Sequence, residues 1–437
     1  MSHDLLALLG VVLLLVFMFL RMPIAVCMAL VGFIGLCLIR GVPPALANIA
    51  FTTYRTATAY QLSMIPLFIL MGELAFRGGL SKDAYSALYK WVGRLPGGLA
   101  MATVGACSAF GAVCGSHVAT AATMCSAALP EMRKFKYSDE LSLGCICAGG
   151  NLGIMIPPSS AFIIYGFVTE TPVGALFIAG ILPGIMITLL FWLLIYIRCN
   201  LNPQLGPRGS KSTWKEKLMS LDSIWKILVI FVLVIGGIYA GIFTPTESAA
   251  IGVFLVFVFS IIKRQLTWRG LLDSLLGTTK TSAMIFLLII GSMIFSSFLT
   301  TTEVALGLSD IVDELEVGPY VILAAVLVIY FITGFFLEIY SVILITLPIF
   351  FPIIVISLGF DPLLFGVLTT LTVMIGAITP PVGNVVFVIA GKLKDVPMYS
   401  IFRGCLPFIV TMLIALIILI IFPQISLILP DLMIPYR

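Results

Sequence analysis

The chain has 437 residues, of which 61% are hydrophobic and 10% charged, with a mean hydropathy of +1.19 and a formal net charge of +4. That balance excludes a soluble domain and identifies an all-α polytopic membrane protein. The small net charge says little by itself, and no nucleic-acid partner is expected.

The apolar runs are taken in chain order. Residues 5–20 form a first crossing, within an N-terminal unit of 1–21. Arg21 follows directly, with no small-residue cleavage site, so this reads as a retained helix and not a signal peptide. Residues 23–39 cross next, 41–61 form a more polar interfacial arm, and 63–76 cross again. Residues 81–94 are amphipathic and carry Lys82, Lys90 and Arg94, as an interfacial helix does. The piece 116–129 is too short to span the roughly 30 Å of hydrocarbon. With 99–115 it makes a re-entrant hairpin, 97–130, turning at Gly115-Ser116. A broken helix, 139–168, and a crossing, 175–197, complete a first unit of 22–199. Residues 200–223 read as a cytoplasmic linker and 224–243 as a connecting transmembrane helix. The second unit, 244–423, repeats the pattern: a crossing at 249–262, a basic arm at 263–280 and a crossing at 283–299. After the acidic loop 300–317 comes a hairpin, 319–352, broken at Gly334, then a broken helix, 361–390, and a last crossing, 404–422. Residues 424–437 are expected to be a periplasmic tail.

The two broken helices carry Pro157-Pro158 and Pro380-Pro381 in mid-span. A Pro-Pro pair cannot continue a helix, because each proline lacks an N–H and disfavours the α region before it. Broken backbone at membrane depth is tolerated where it is buried in protein or lines a cavity. Matching breaks in two halves mark a transporter's binding site. The match extends further. Pro23 and Pro245, Gly72 and Gly291, Gly97 and Gly318, Leu129-Pro130 and Leu347-Pro348, Pro172 and Pro397, and Leu182-Pro183 and Leu406-Pro407 all keep offsets of 218 to 225 residues. With the N-terminus outside, 21 of the 24 basic residues fall on inner loops. Five crossings then separate Pro23 from Pro245, so the repeats are inverted. The first hairpin enters from the cytoplasm and the second from outside.

Oxygen donors gather at these places. Ser116 and Thr120 follow the first tip; Asn151, Ser159 and Ser160 stand at the first break; Thr379 and Asn384 stand at the second; Glu338 and Ser341 follow the second tip. Free N–H groups of half-helix ends suit an anion, and unwound carbonyls suit Na⁺. The candidates for substrate are Ser116, His117, Asn151, Pro157, Ser159, Ser160, Pro380 and Asn384. Those for sodium are Gly115, Ser116, Gly150, Asn151, Gly334, Glu338, Gly376 and Thr379. Each has a plainer reading. Serine and threonine commonly bond their own i−4 carbonyl, Gly149-Gly150 suits close helix packing, and Glu338 could be a solvated tip residue. The nine cysteines show no metal or disulfide spacing and read as packing residues. Enzyme and nucleotide-binding motifs are absent.

The segments Gly115-Ser116-x-x-Ala119-Thr-Ala-Ala and Ala148-Gly-Gly-Asn-Leu-Gly-Ile-Met-Ile-Pro-Pro-Ser159 resemble the large membrane subunit of tripartite ATP-independent periplasmic (TRAP) transporters. So do Gly334-Phe-Phe-Leu-Glu338, Leu347-Pro348-Ile-Phe-Phe-Pro352 and Thr379-Pro-Pro-Val-Gly383. The resemblance covers essentially the whole chain. It implies an elevator transporter in the bacterial inner membrane, with both termini periplasmic. Its cargo would be a small organic anion (a carboxylate or sulfonate) together with Na⁺. It also implies two partners, a small four-helix membrane subunit and a periplasmic substrate-binding protein. His117 stands where the family often has serine, Glu338 where it usually has aspartate, and Ile339 and Tyr340 where it has small or hydroxyl residues, which alters the shape of the site. A stand-alone Na⁺/dicarboxylate or citrate symporter is the runner-up; a channel or intramembrane enzyme lacks its expected pore stripe or catalytic set. The expected scaffold is 23–39, 175–197, 249–262 and 404–422.

Overall fold

The structure, a computed structural model, describes residues 3–209, 212–304, 307, 317–393 and 395–433. Asp310, Asp313, Glu314 and Glu316 of the acidic loop, Lys211, Lys394 and the last four residues lie outside the described part. The first half runs α1 (His3–Phe19), α2 (Ile24–Arg40), α3 (Val42–Ala57), α4 (Met64–Arg77), α5 (Leu80–Val92), α6 (Gly98–Cys114), α7 (His117–Lys134), α8 (Asp139–Asn151), α9 (Ser160–Thr169) and α10 (Val173–Leu201). The second runs α11 (Trp214–Phe231), α12 (Pro245–Ile262), α13 (Trp268–Thr302), α14 (Pro319–Phe336), α15 (Ile339–Phe351), α16 (Pro362–Gly376), α17 (Asn384–Lys392), α18 (Met398–Ile421) and α19 (Gln424–Asp431). Among the described residues six helices are long and apolar enough to cross a membrane, or up to eight when each bent pair is taken as one span.

The halves repeat each other's packing with roles exchanged. α2 lies on α13 as α12 lies on α4; α6 lies on α8 as α14 lies on α16; α7 meets α17 as α15 meets α9. Two glycine pairs show why. A Cβ built on Gly111 would sit 2.6 Å from the Gly153 Cα, and one on Gly376 would sit 2.8 Å from the Gly334 Cα. Both pairs obey the 223-residue offset of the Pro-Pro pairs. Each hairpin is thus seated on its own broken helix, backbone against backbone, where no side chain fits.

Several boundaries differ from the sequence reading, each for a local reason. The second hairpin turns at Leu337-Glu338; Gly334 continues inside α14, where its role is the contact with Gly376. The basic arm 263–280 is not separate from the crossing that follows. Thr267 caps one 35-residue helix, α13, roughly 50 Å long at 1.5 Å per residue. Its counterpart in the first half is bent instead, by 52° between α3 and α4. The expected linker 200–223 is shorter, because α10 runs to Leu201 and α11 starts at Trp214. Thr213 and Glu216 cap α11 reciprocally, and the Thr213 N–H bond holds the Glu216 carboxylate below its ordinary range. Within the expected tail, α19 packs on α10 and buries Ser426.

The scaffold assignment changes most. α10 packs on α6, α16 and α18, and α18 on α8, α16 and α10, rather than beside α2 and α12 as expected. A Cβ on Gly144 of α8 would stand 2.2 Å from the Gly404 carbonyl oxygen of α18. Ser108 of α6 and Thr188 of α10 share a 2.9 Å hydrogen bond. The hairpins, breaks, α10 and α18 thus pack together, as do α2, α3, α4, α12 and α13, and the two sets meet where α4 lies on α6 and α13 on α15. Ion pairs gather at one end of the bundle: Arg77 with Asp273, Lys263 with Asp83, Arg133 with Asp139 and Asp395, and Arg403 with Glu140.

Candidate functional site

Each half-helix that starts at a tip or break has its own first-turn arrangement. At the first tip Gly115 takes φ +63°, which favours glycine, and Ser116 accepts from the Ala119 N–H at 3.4 Å to cap α7. Thr120 donates to the Ser116 carbonyl at 2.7 Å, the plain i−4 bond. At the first break α8 ends at Asn151, passes through a short 3₁₀ turn, Leu152–Ile154, and resumes as α9. Ser159 accepts from the Phe162 N–H at 3.3 Å and donates to the Ile154 carbonyl. Pro157-Pro158 and Pro380-Pro381 are both cis. The second tip differs in charge. Glu338 caps α15 with its carboxylate, accepting from the Tyr340 N–H at 3.1 Å. At the second break Gly383, φ +58°, precedes α17, and Thr379 spends its hydroxyl on the Ile375 carbonyl at 2.6 Å.

Three side chains join these pieces. Asn151 donates to the Met374 carbonyl at 2.8 Å. Met374 is its own counterpart at the 223-residue offset, so this bond crosses the relation between the halves. Ser160 donates to the Gly115 carbonyl at 2.8 Å and lies 2.6 Å from the Tyr340 hydroxyl, tying the first break to both tips. Asn384 donates to the Leu337 carbonyl at 2.9 Å, tying the second break to the second tip. Gly150 lies against Ala121 of α7, and Gly334 against Gly376.

Two buried polar groups at this junction have no protein partner among the described residues. The Asn151 Oδ1 is one; both ring nitrogens of His117, itself 1% exposed, are the other. An unmet buried group of this kind costs about 1–3 kcal/mol. It is tolerated where a ligand completes it. The breaks are unequally covered: Pro157 is buried, whereas Pro380 is exposed and Thr379 and Asn384 are half-buried. Half-buried Glu338 and buried Ser341 line one end of an otherwise apolar cavity of about 620 Å³ between α2, α13 and α15.

Tyr340 is the participant that residue types alone do not bring to the site. Its signal was present in the repeat: at the offset of 223 it is the counterpart of His117. The carbonyls of Met374 and Leu337 have no sequence signal at all, since any residue supplies one.

The family profile described as "Tripartite ATP-independent periplasmic transporter, DctM component" matches residues 11–425. The C4-dicarboxylate TRAP transporter large permease protein DctM of Pseudomonas aeruginosa is 36% identical over 392 residues, covering 89% of this chain and 90% of that protein. The ectoine TRAP transporter large permease protein TeaC of Halomonas elongata is 36% identical, covering 85% and 86%. The sialic acid TRAP transporter large permease protein SiaM of Vibrio cholerae is 31% identical, covering 86% and 88%. In fold, the chain is similar to the crystal structure of the Alcanivorax borkumensis YdaH transporter, with a TM-score of 0.63, 14% identity and coverage of 90% and 88%. The proteins it matches are transport permeases and not enzymes, and this multi-pass membrane chain, with its paired hairpins and broken helices, belongs to the TRAP transporter large-subunit family.

Proposed function

We propose that the chain is the substrate-moving subunit of a Na⁺-coupled importer of small organic anions. It would sit in the bacterial inner membrane with its basic end in the cytoplasm, as the distribution of Lys and Arg supports. A periplasmic binding protein would deliver the substrate, and a small four-helix subunit would complete the membrane part. The observation that carries this reading is that Asn151, Ser160 and Asn384 tie both breaks and both tips together, with Asn151 Oδ1 left without a partner among the described residues and no Lys or Arg in the hairpin tips or breaks.

The tips divide the labour. Three of the four half-helix starts, at Ser116, Ser159 and Gly383, carry no charge, so their dipole ends, and the first-turn N–H groups not already capped by Ser116 and Ser159, are available to an anion. The fourth carries Glu338, which cancels that dipole end and favours a cation. Asn151 Oδ1 and unwound carbonyls supply further oxygens for Na⁺. The relatives named for C4-dicarboxylate, ectoine and sialic acid handle molecules that all bear a carboxylate, and a carboxylate is the group we assign to the neutral helix ends. The hairpins, breaks, α10 and α18 would move as one elevator body against the second packed group.

The test is uptake into proteoliposomes holding the chain and its small subunit, with binding protein added outside. Succinate, ectoine, N-acetylneuraminate and isethionate make the substrate panel. One class should accumulate with an inward Na⁺ gradient and only with the binding protein. Equal uptake from K⁺ buffer at fixed pH and zero membrane potential would overturn the coupling.

A further inference from the structure

A second cavity, about 580 Å³, lies at the basic end, between the foot of α7 and the α4–α5 and α12–α13 turns. Unlike the apolar one it carries polar side chains, Arg77, Ser81, Lys82, Asp83, Thr123, Ser126 and Gln265, beside Phe76, Gly79 and Ala127. Thr123 and Ser126 lie seven and ten residues beyond Ser116. At 100° per residue all three fall on one side of α7. Coverage of that side falls toward the cavity: Thr123 is buried, Ser116, Ala119 and Ala127 are half-buried and Ser126 is exposed. A hydroxyl-bearing track thus runs from the first tip to the cavity.

The charges beside it are unevenly paired. Asp83 is met by Lys263, and Arg77 by Asp273 and Glu73. Lys82, exposed, has no carboxylate within 4.0 Å among the described residues. Beside Ser126, and outside the cavity's own lining, Lys392 of α17 donates to the Ala122 carbonyl at 3.0 Å, the same oxygen that accepts from Ser126 at 3.1 Å. It too has no carboxylate partner among the described residues. On α7 itself Glu131 stands beside the basic last turn, Arg133 and Lys134. Two unpaired ammonium groups therefore flank the lower end of the track.

We infer that this cavity is an anion-selective exit vestibule: an anionic cargo leaving the first tip passes along Ser116, Thr123 and Ser126 and is drawn out between Lys82 and Lys392. Facing charges of one sign in a cleft raise the local concentration of the opposite sign and speed its entry about 10-fold or more. The inference rests on the orientation proposed above, with the basic end in the cytoplasm, but not on Na⁺ coupling or on any particular substrate.

The test needs no transport. Ser126→Cys is placed in a background without the nine native cysteines. It is expressed with the partner subunit and exposed to two small thiol reagents of opposite charge, the sulfonatoethyl and trimethylammonioethyl methanethiosulfonates. Rates are divided by those for a free thiol in solution. In inside-out vesicles the anionic reagent should react at least about 10-fold faster than the cationic one. Lys82→Glu with Lys392→Glu should abolish or invert that ratio, and Lys82→Gln with Lys392→Gln, a milder change, should bring it near one. A ratio at or below one with both lysines present, or no labelling from either side, overturns the vestibule. Labelling with the anionic preference intact but from right-side-out vesicles alone overturns the orientation and leaves the vestibule standing.

Discussion

Adding one methyl group at Gly376 tests whether the hairpin is seated on the broken helix through bare backbone. The new Cβ would lie 2.8 Å from both the carbonyl carbon and the Cα of Gly334, and 3.0 Å from the Phe331 carbonyl oxygen. Carbon atoms rest at about 3.5–4.0 Å, so α14 and α16 must part by roughly 0.7 Å or more. The three nearest atoms to that carbon are all backbone, which cannot rotate away as a side chain could. Overpacking of this kind costs about 1–3 kcal/mol. Gly111→Ala should cost as much, because its Cβ would stand 2.6 Å from the Gly153 Cα at the equivalent contact of the other half. Gly391→Ala is the control: among the described residues nothing lies within 4 Å of a Cβ there, and alanine favours the last turn of α17 by up to about 1 kcal/mol. Thermal unfolding of the purified subunit in detergent reads the stability, and proteoliposome uptake reads the tips. Gly376→Ala and Gly111→Ala should each unfold at lower temperature and transport more slowly, while Gly391→Ala does neither. Wild-type unfolding and wild-type uptake in both variants would refute the seating.

Asn151→Ala removes the bond to Met374 and leaves a buried carbonyl unmet, at a cost of about 1–3 kcal/mol. It should lower uptake at least tenfold and raise the Na⁺ concentration for half-maximal rate; an unchanged Na⁺ curve would take Asn151 out of the site. Tyr340→Phe keeps the packing but breaks the 2.6 Å contact with Ser160, which retains its bond to the Gly115 carbonyl. A double-mutant cycle of Tyr340→Phe with Ser160→Ala, read by thermal unfolding and by uptake, should give a coupling of about 0.5–3 kcal/mol; additive effects would show that the two tips are not joined there.

Much of this architecture is legible in the amino-acid order because the membrane leaves few alternatives. Paired prolines in mid-span, and glycines and prolines at a common offset, could be read as broken helices in two inverted halves. Continuity was harder to read. Lys263 to Lys280 looks like a separate basic arm by composition, yet nothing after Thr267 stops a helix, and α13 runs to Thr302. The Thr213-x-x-Glu216 cap was visible as a spacing but hidden in a polar stretch that otherwise suggests a linker. Which helices pack together depends on pairwise contacts, and hydropathy is blind to them: α10 and α18 are as apolar as any crossing, and their packing, with the Gly144–Gly404 approach at its tightest point, shows where α18 belongs. At the site, Asn151 and Ser160 could be singled out from their positions at the break. Their partners, the Gly115 and Met374 carbonyls and the Tyr340 hydroxyl, come from distant segments that the fold alone brings near.

The central claim is that the tips, breaks, α10 and α18 form one travelling body. Two crosslinks in the cysteine-free background measure it. Ser108→Cys with Thr188→Cys replaces two hydroxyls 2.9 Å apart inside that body. Ser341→Cys with Leu288→Cys, joined by a bifunctional maleimide, spans the apolar cavity between the body and α13. The first crosslink should leave uptake at the uncrosslinked rate, and the second should abolish it. Uptake lost on closing the first, or undiminished with the second complete, would contradict the account.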